Sequence, residues 1–131
     1  MKILIVDDEY ALIENLTDLL EDEGYRVVSA GNGKDGLERL QAERPDLLVT
    51  DYMMPLANGR DLIRGMRALP DFQPLPVIMM SATTKAVSLT DAAGTIEVSV
   101  FLKKPFEWEA LLDAVVRLIG REETNEAPRE P

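Results

Sequence analysis

A chain of 131 residues has room for one layered core, and 46% hydrophobic with 29% charged residues excludes disorder for its body. With 24 acidic against 14 basic side chains the net charge is −10, which argues against direct binding to nucleic acid or to anionic lipid. Cysteine and histidine are both absent, which excludes disulfides, thiolate or imidazole metal ligands and every His-based triad, so any metal site must be built from oxygen for a hard cation.

Residues 2–6, Lys-Ile-Leu-Ile-Val, form a near-continuous aliphatic run of the kind a parallel sheet buries on both faces, and the run stops at Asp7 and Asp8. Over residues 10–23, Leu12, Leu16, Leu19 and Leu20 recur at helical spacing, with Gly24 where a C-terminal cap belongs. Residues 25–30 predict a second strand. Residues 33–43, with Leu37 and Leu40, predict a second helix that Gly36 weakens and Pro45 stops. Residues 47–51 repeat the design of the first strand and end on Asp51.

Pro55 and Gly59 punctuate the next loop, Asn58 is placed to cap a third helix over residues 59–69, and Met53, Met54, Met79 and Met80 read as packing residues. A loop with Pro70, Pro74 and Pro76 leads into a fourth buried strand over residues 77–80, whose end is marked by Ser81. Residues 84–94 carry a weak helical pattern. In residues 98–103, Val98, Val100 and Leu102 alternate with Ser99, Phe101 and Lys103, which predicts a strand with one wetter face ended by Pro105. Residues 107–119 place Leu111, Leu112, Val115, Leu118 and Ile119 on one stripe of a closing helix, with Trp108 packing near its start, and residues 121–131 read as a polar tail.

Five alternations of strand and helix specify an α/β fold, a doubly wound parallel sheet, because parallel strands need right-handed helical crossovers. The expected organisation is one domain over residues 1–120 with a flexible tail or linker after it. No apolar run reaches the roughly 18 residues that span a bilayer, and the chain is read as cytoplasmic. In such sheets ligands bind outside the carboxyl ends of the strands, where Asp7, Asp8, Asp51, Ser81 and one of Lys103 and Lys104 converge. Singly, each aspartate reads as a turn former or cap and Ser81 as a helix cap. Three carboxylates at one sheet edge repel and raise one another's pKa unless a cation sits among them, so a divalent metal is expected there.

Asp7-Asp8, the run Asp51-Tyr-Met-Met-Pro55-Leu-Ala-Asn-Gly59, Ser81-Ala82 and Lys104-Pro105-Phe106, in this order and each at a strand end, resemble the receiver domain of bacterial response regulators over residues 2 to about 119. The resemblance implies a flavodoxin-like five-stranded (βα)5 sandwich with strand order 2-1-3-4-5. It implies that Asp51 is the phosphoacceptor. Asp8 and Asp51 would ligate magnesium, or manganese in its place, with Asp7 contributing mainly through water and Met53 through its backbone carbonyl. Lys104 is the matching ammonium, and the Lys104–Pro105 bond is expected to be cis. Ser81 and Phe101 are the matching switch residues, acting on a face made by the fourth helix, fifth strand and fifth helix. Phe101 has a second reading as a half-exposed edge-strand aromatic. The implied donor is a phosphohistidine on a histidine kinase or a histidine phosphotransfer protein, since this chain has no histidine.

Other readings are weaker. An aspartate-nucleophile phosphohydrolase would use Asp7 and Glu9 but leaves no room for a cap over the substrate. A flavin-binding flavodoxin-like protein would need hydroxyls and glycine where this chain has Asp-Asp-Glu, which repels phosphate. A pseudo-receiver interaction module, independent of phosphorylation, would not need the full acidic set. The run Thr-Ile-Glu-Val-Ser-Val between Gly94 and Phe101 departs from the family's usual connection and leaves the output face less defined than the site. Downstream effector, pathway and oligomeric state, including a homodimer through the closing helix, are left open.

Overall fold

The computed structural model describes residues 1–52, 54, 58–72, 74–82 and 98–121. The expectations placed on residues 84–94, on the Met53 carbonyl, on Pro55 and on the tail after Arg121 lie outside the described residues.

Five strands, β1 (Lys2–Val6), β2 (Arg26–Ala30), β3 (Leu47–Asp51), β4 (Val77–Ser81) and β5 (Val100–Lys103), form one parallel sheet in the order β2-β1-β3-β4-β5. Among the described residues the helices are α1 (Tyr10–Asp22), α2 (Gly33–Glu43), α3 (Gly59–Arg67) and α4 (Trp108–Ile119), with a 3-10 turn at Pro70–Phe72. β1, β3 and β4 are the inner strands, and β3 and β4 are buried at every position, which is why they read as unbroken apolar runs rather than alternating ones. None of the helices among the described residues is long and apolar enough to cross a membrane.

Strand alternation divides the core into two layers. Ile3, Ile5, Val49, Ile78 and Met80 face α1 and α4 and pack with Leu16, Leu20, Leu111 and Val115. Leu4, Val6, Leu48, Val77 and Met79 face α2 and α3 and pack with Leu40, Leu62, Ile63 and Met66. The apolar stripes expected on the described helices close these layers, except that in α1 Ile13 and not Leu19 joins Leu12, Leu16 and Leu20 in the core.

The helix ends follow local rules. α1 closes in a Schellman turn: the N–H of Tyr25 donates to the Leu20 carbonyl at 3.2 Å and that of Gly24 to Glu21 at 2.9 Å, with Gly24 at φ +98°. Arg44 ends α2 in the left-handed region at φ 50°, with its N–H donating to the Leu40 carbonyl at 3.0 Å, and Pro45 keeps the helix from continuing. Asn58 and Asp61 form a reciprocal capping box at the start of α3.

The fifth strand corrects the sequence reading. It starts at Val100 rather than Val98, because Ser99 closes the ladder with its side chain: its Oγ accepts the Val77 N–H at 3.1 Å while its own N–H donates to the Val77 carbonyl at 2.8 Å. Val98 consequently packs in the α2–α3 layer, whereas Val100 and Leu102 pack in the α1–α4 layer. Phe101 is half-buried against the α2–α3 layer, so this face of β5 is not simply the wetter one.

Candidate functional site

Parallel strands all end at one edge, so β1, β3 and β4 deliver Asp7, Asp8, Asp51 and Ser81 to the same rim. One carboxylate oxygen from each of Asp7, Asp8 and Asp51 lies within 4.8 Å of the others. Asp7 and Ser81 are fully buried, Asp51 is 6% exposed, and Asp8 faces solvent. Asp7 follows β1 directly, where its Oδ1 accepts the Glu9 N–H at 2.8 Å and so fixes the turn into α1.

Lys104 approaches this rim from the loop after β5. Its N–H donates to the Ser81 carbonyl at 2.8 Å, and the Lys104–Pro105 peptide is cis. The ammonium donates to Asp7 Oδ2 at 2.8 Å and to Glu9 Oε1 at 3.2 Å, and lies 3.4 Å from Asp51 Oδ1. Lys103 is exposed, as alternation along the strand requires of one of the two neighbours.

The electrostatics are those of an anionic pocket in which acids outnumber the ammonium. Burial, and then the negative charge of Asp7, push the Asp51 carboxyl up to about 6, although Lys104 pulls in the opposite direction. Burial opposes the charge on Lys104, but its hydrogen bond to Asp7 and the charges of Asp7 and Asp51 outweigh it, so the ammonium is held more firmly than usual. One ammonium faces three carboxylates and Glu9. An all-oxygen donor set with surplus negative charge fits a small hard dication.

The chain matches the family model described as response regulator receiver domain over residues 3–116. It belongs to the response regulator receiver family. As a receiver it is 36% identical over 127 residues to response regulator MprA of Mycobacterium leprae, covering 97% of this chain and 54% of that protein. Response regulator MprA of Mycobacterium bovis is 35% identical, with 97% and 54% covered. The receiver thus spans about half the length of the curated relatives it matches. Among solved structures, chemotaxis protein CheY4 of Vibrio cholerae superposes with a TM-score of 0.82 at 27% identity, covering 90% of this chain and 98% of that one. A putative response regulator from Chloroflexus aurantiacus gives a TM-score of 0.81 at 29% identity, covering 92% and 98%. The receiver is therefore a signalling domain of two-component systems.

Two contacts in the receiver had no place in the sequence reading. Glu9, weighed there only as a rival acid, touches Lys104, and its position right after the acidic pair was the available signal. Thr50, fully buried beside Asp51, left no signal because threonine is ordinary in a strand.

Proposed function

We propose that this receiver takes a phosphoryl group onto Asp51 from a phosphohistidine of a partner, a sensor histidine kinase or a histidine phosphotransfer protein. The observation that carries the reading is the meeting of the Asp7, Asp8 and Asp51 carboxylates with the Lys104 ammonium at one sheet edge. An Asp51 oxygen attacks phosphorus, a P–O bond forms, the P–N bond of the donor breaks, and its electron pair stays on the partner's imidazole nitrogen. The product is an acyl phosphate.

Asp51 is a poor nucleophile when protonated, and the dominant effect of its burial is to favour the protonated form, so positive charge must be supplied at the site. Lys104 supplies part, placed to neutralise phosphoryl oxygens arriving at Asp51. Asp8 and Asp51, with Asp7 through water and the Met53 carbonyl, would hold magnesium or manganese, whose charge lowers the repulsion between the two anions. Ser81, buried at the end of β4, is the hydroxyl for the new phosphoryl oxygens, and Phe101 is the aromatic that turns inward in response. A cleft of about 470 Å³ beside the site offers a partner apolar footing on Leu12, Leu16, Phe106 and Trp108, with Glu9 and Lys104 at its rim. The domain, residues 1–120, promotes its own phosphorylation and dephosphorylation and turns over no separate substrate.

Incubation with acetyl phosphate and magnesium, followed by intact-mass measurement, tests the reading. The wild type gains one phosphoryl group, and neither Asp51→Asn nor wild type in chelator does. An unlabelled wild type, or an equally labelled Asp51→Asn, overturns it.

A further inference from the structure

Four polar side chains are buried among the described residues: Asp7, Asp51, Ser81 and Thr50. The first three have roles in the phosphoryl reading. Thr50 has none, although it is fully buried and sits in sequence next to the acceptor.

Thr50 pairs in register with Val6 of β1 and Met79 of β4, and alternation turns its side chain into the apolar α2–α3 layer with Leu48. Valine has nearly the same shape and no hydroxyl to desolvate. A hydroxyl in that layer needs a partner, and it has one: Thr50 Oγ1 donates to the backbone carbonyl of Asp51 at 3.0 Å. The same carbonyl oxygen is met by Gly59. A methyl built on Gly59 would overlap it and would stand 3.2 Å from both the Asp51 carbonyl carbon and Tyr52 Cα. Gly59 is itself held, its N–H donating to the Tyr52 carbonyl at 2.9 Å and its position at the start of α3 fixed by the Asn58–Asp61 box. On the other side of the same peptide, the Tyr52 N–H donates to the Met80 carbonyl at 2.8 Å.

The peptide joining Asp51 to Tyr52 is thus gripped at both its oxygen and its nitrogen. We propose that Thr50 is a positioning residue for the phosphoacceptor: its hydroxyl, with Gly59 as the wall behind, locks this peptide and so sets the direction in which the Asp51 carboxylate leaves the end of β3. The inference rests on the reading of Asp51 as acceptor. Thr50 touches neither donor nor metal and acts through Asp51 alone.

The test compares Thr50→Val, which keeps the shape and loses the hydroxyl, with Thr50→Ser, which keeps the hydroxyl and loses a methyl. Two readouts are needed, the amide exchange rate of Tyr52 by NMR and the saturation kinetics of phosphorylation by acetyl phosphate with magnesium. In Thr50→Val the Tyr52 amide exchanges faster, and the limiting rate falls roughly tenfold with little change in the donor concentration at half-saturation, since small misplacements of a reacting group cost up to about a hundredfold. Thr50→Ser returns both toward wild type although it packs less well. A purely structural threonine gives the opposite order, with the serine variant the slower and the valine variant unharmed. That order, or unchanged Tyr52 exchange in Thr50→Val, overturns the proposal. A wild type that takes no phosphoryl group at any donor concentration overturns the acceptor reading itself, and the positioning role with it, while the exchange data still report on the locked peptide.

Discussion

Asp51 carries a conflict that local chemistry alone does not resolve. Its carboxyl is pushed up to about 6 by burial and by Asp7, so the folded protein holds the proton more tightly than the unfolded chain does. A carboxyl raised on folding stabilises the fold fully below its unfolded pKa, and that stabilisation is lost as pH rises through 6. In metal-free protein, Asp51→Asn is therefore expected to raise the melting temperature at pH 7.5, by a free energy on the order of 1–2 kcal/mol, and to give little gain near pH 4. Thermal melts of both proteins at the two pH values check this, and an equal gain at both refutes it. Lys104 answers the opposite question, for among the described residues its ammonium reaches fully buried Asp7. Lys104→Gln should lower stability at pH 7.5 by about 2 kcal/mol, because a buried carboxylate loses its partner. Urea titration measures it.

At the scale of elements, Gly36 shows how far a helix propensity can mislead. Read along the chain it weakens α2; in the fold it lets α2 lie against β1. A methyl at that position would come within 3.0 and 3.2 Å of the two Val6 methyls and 3.3 Å of a Leu62 methyl. Gly36→Ala should therefore destabilise the protein by about 1–2 kcal/mol through overpacking, despite the gain of up to about 1 kcal/mol that alanine brings to an exposed helix. A variant more stable than wild type in denaturant titration would contradict this. The Asn58 cap behaves as the sequence suggested, with Asn58 Oδ1 accepting the Asp61 N–H at 2.9 Å. Its loss in Asn58→Ala should cost about 1 kcal/mol and, because Gly59 follows it, should also slow phosphorylation, which kinetics with acetyl phosphate would show.

For the whole molecule, the sheet assembles a site that no single element contains, drawing carboxylates from the ends of β1 and β3 and an ammonium from the loop after β5. On the proposed function, magnesium is expected to raise the melting temperature of the folded protein as the ion is titrated, by the ordinary linkage of ligand to fold. Protons compete with the ion for Asp51, so the gain should shrink as pH falls below about 6 and should be absent in Asp51→Asn. Differential scanning calorimetry across pH 5–8 separates this from a nonspecific salt effect, which would persist in the variant. The closing helix is tied back to the start of the sheet by Tyr25, whose hydroxyl donates to the Gly120 carbonyl at 2.6 Å. The C-terminal end of α4 is anchored there to the turn between α1 and β2.

The periodicities alone determined the five strands and the four helices among the described residues, because a strand buried on both faces and an amphipathic helix each write their environment into consecutive residues. The acidic pair, Asp51, Ser81 and one of Lys103 and Lys104 were legible because parallel strands end on one side, and residue order then places side chains at a common rim; the choice of Lys104 came from the family resemblance. What stayed illegible depends on distance between elements. That Gly36 serves packing against Val6, that Ser99 delays β5 by bonding Val77, that Glu9 reaches Lys104 and that Thr50 turns its hydroxyl onto the Asp51 carbonyl are facts of tertiary approach. A residue's own neighbours in the chain carry no record of them, since close packing and hydrogen-bond geometry are decided only when the layers meet.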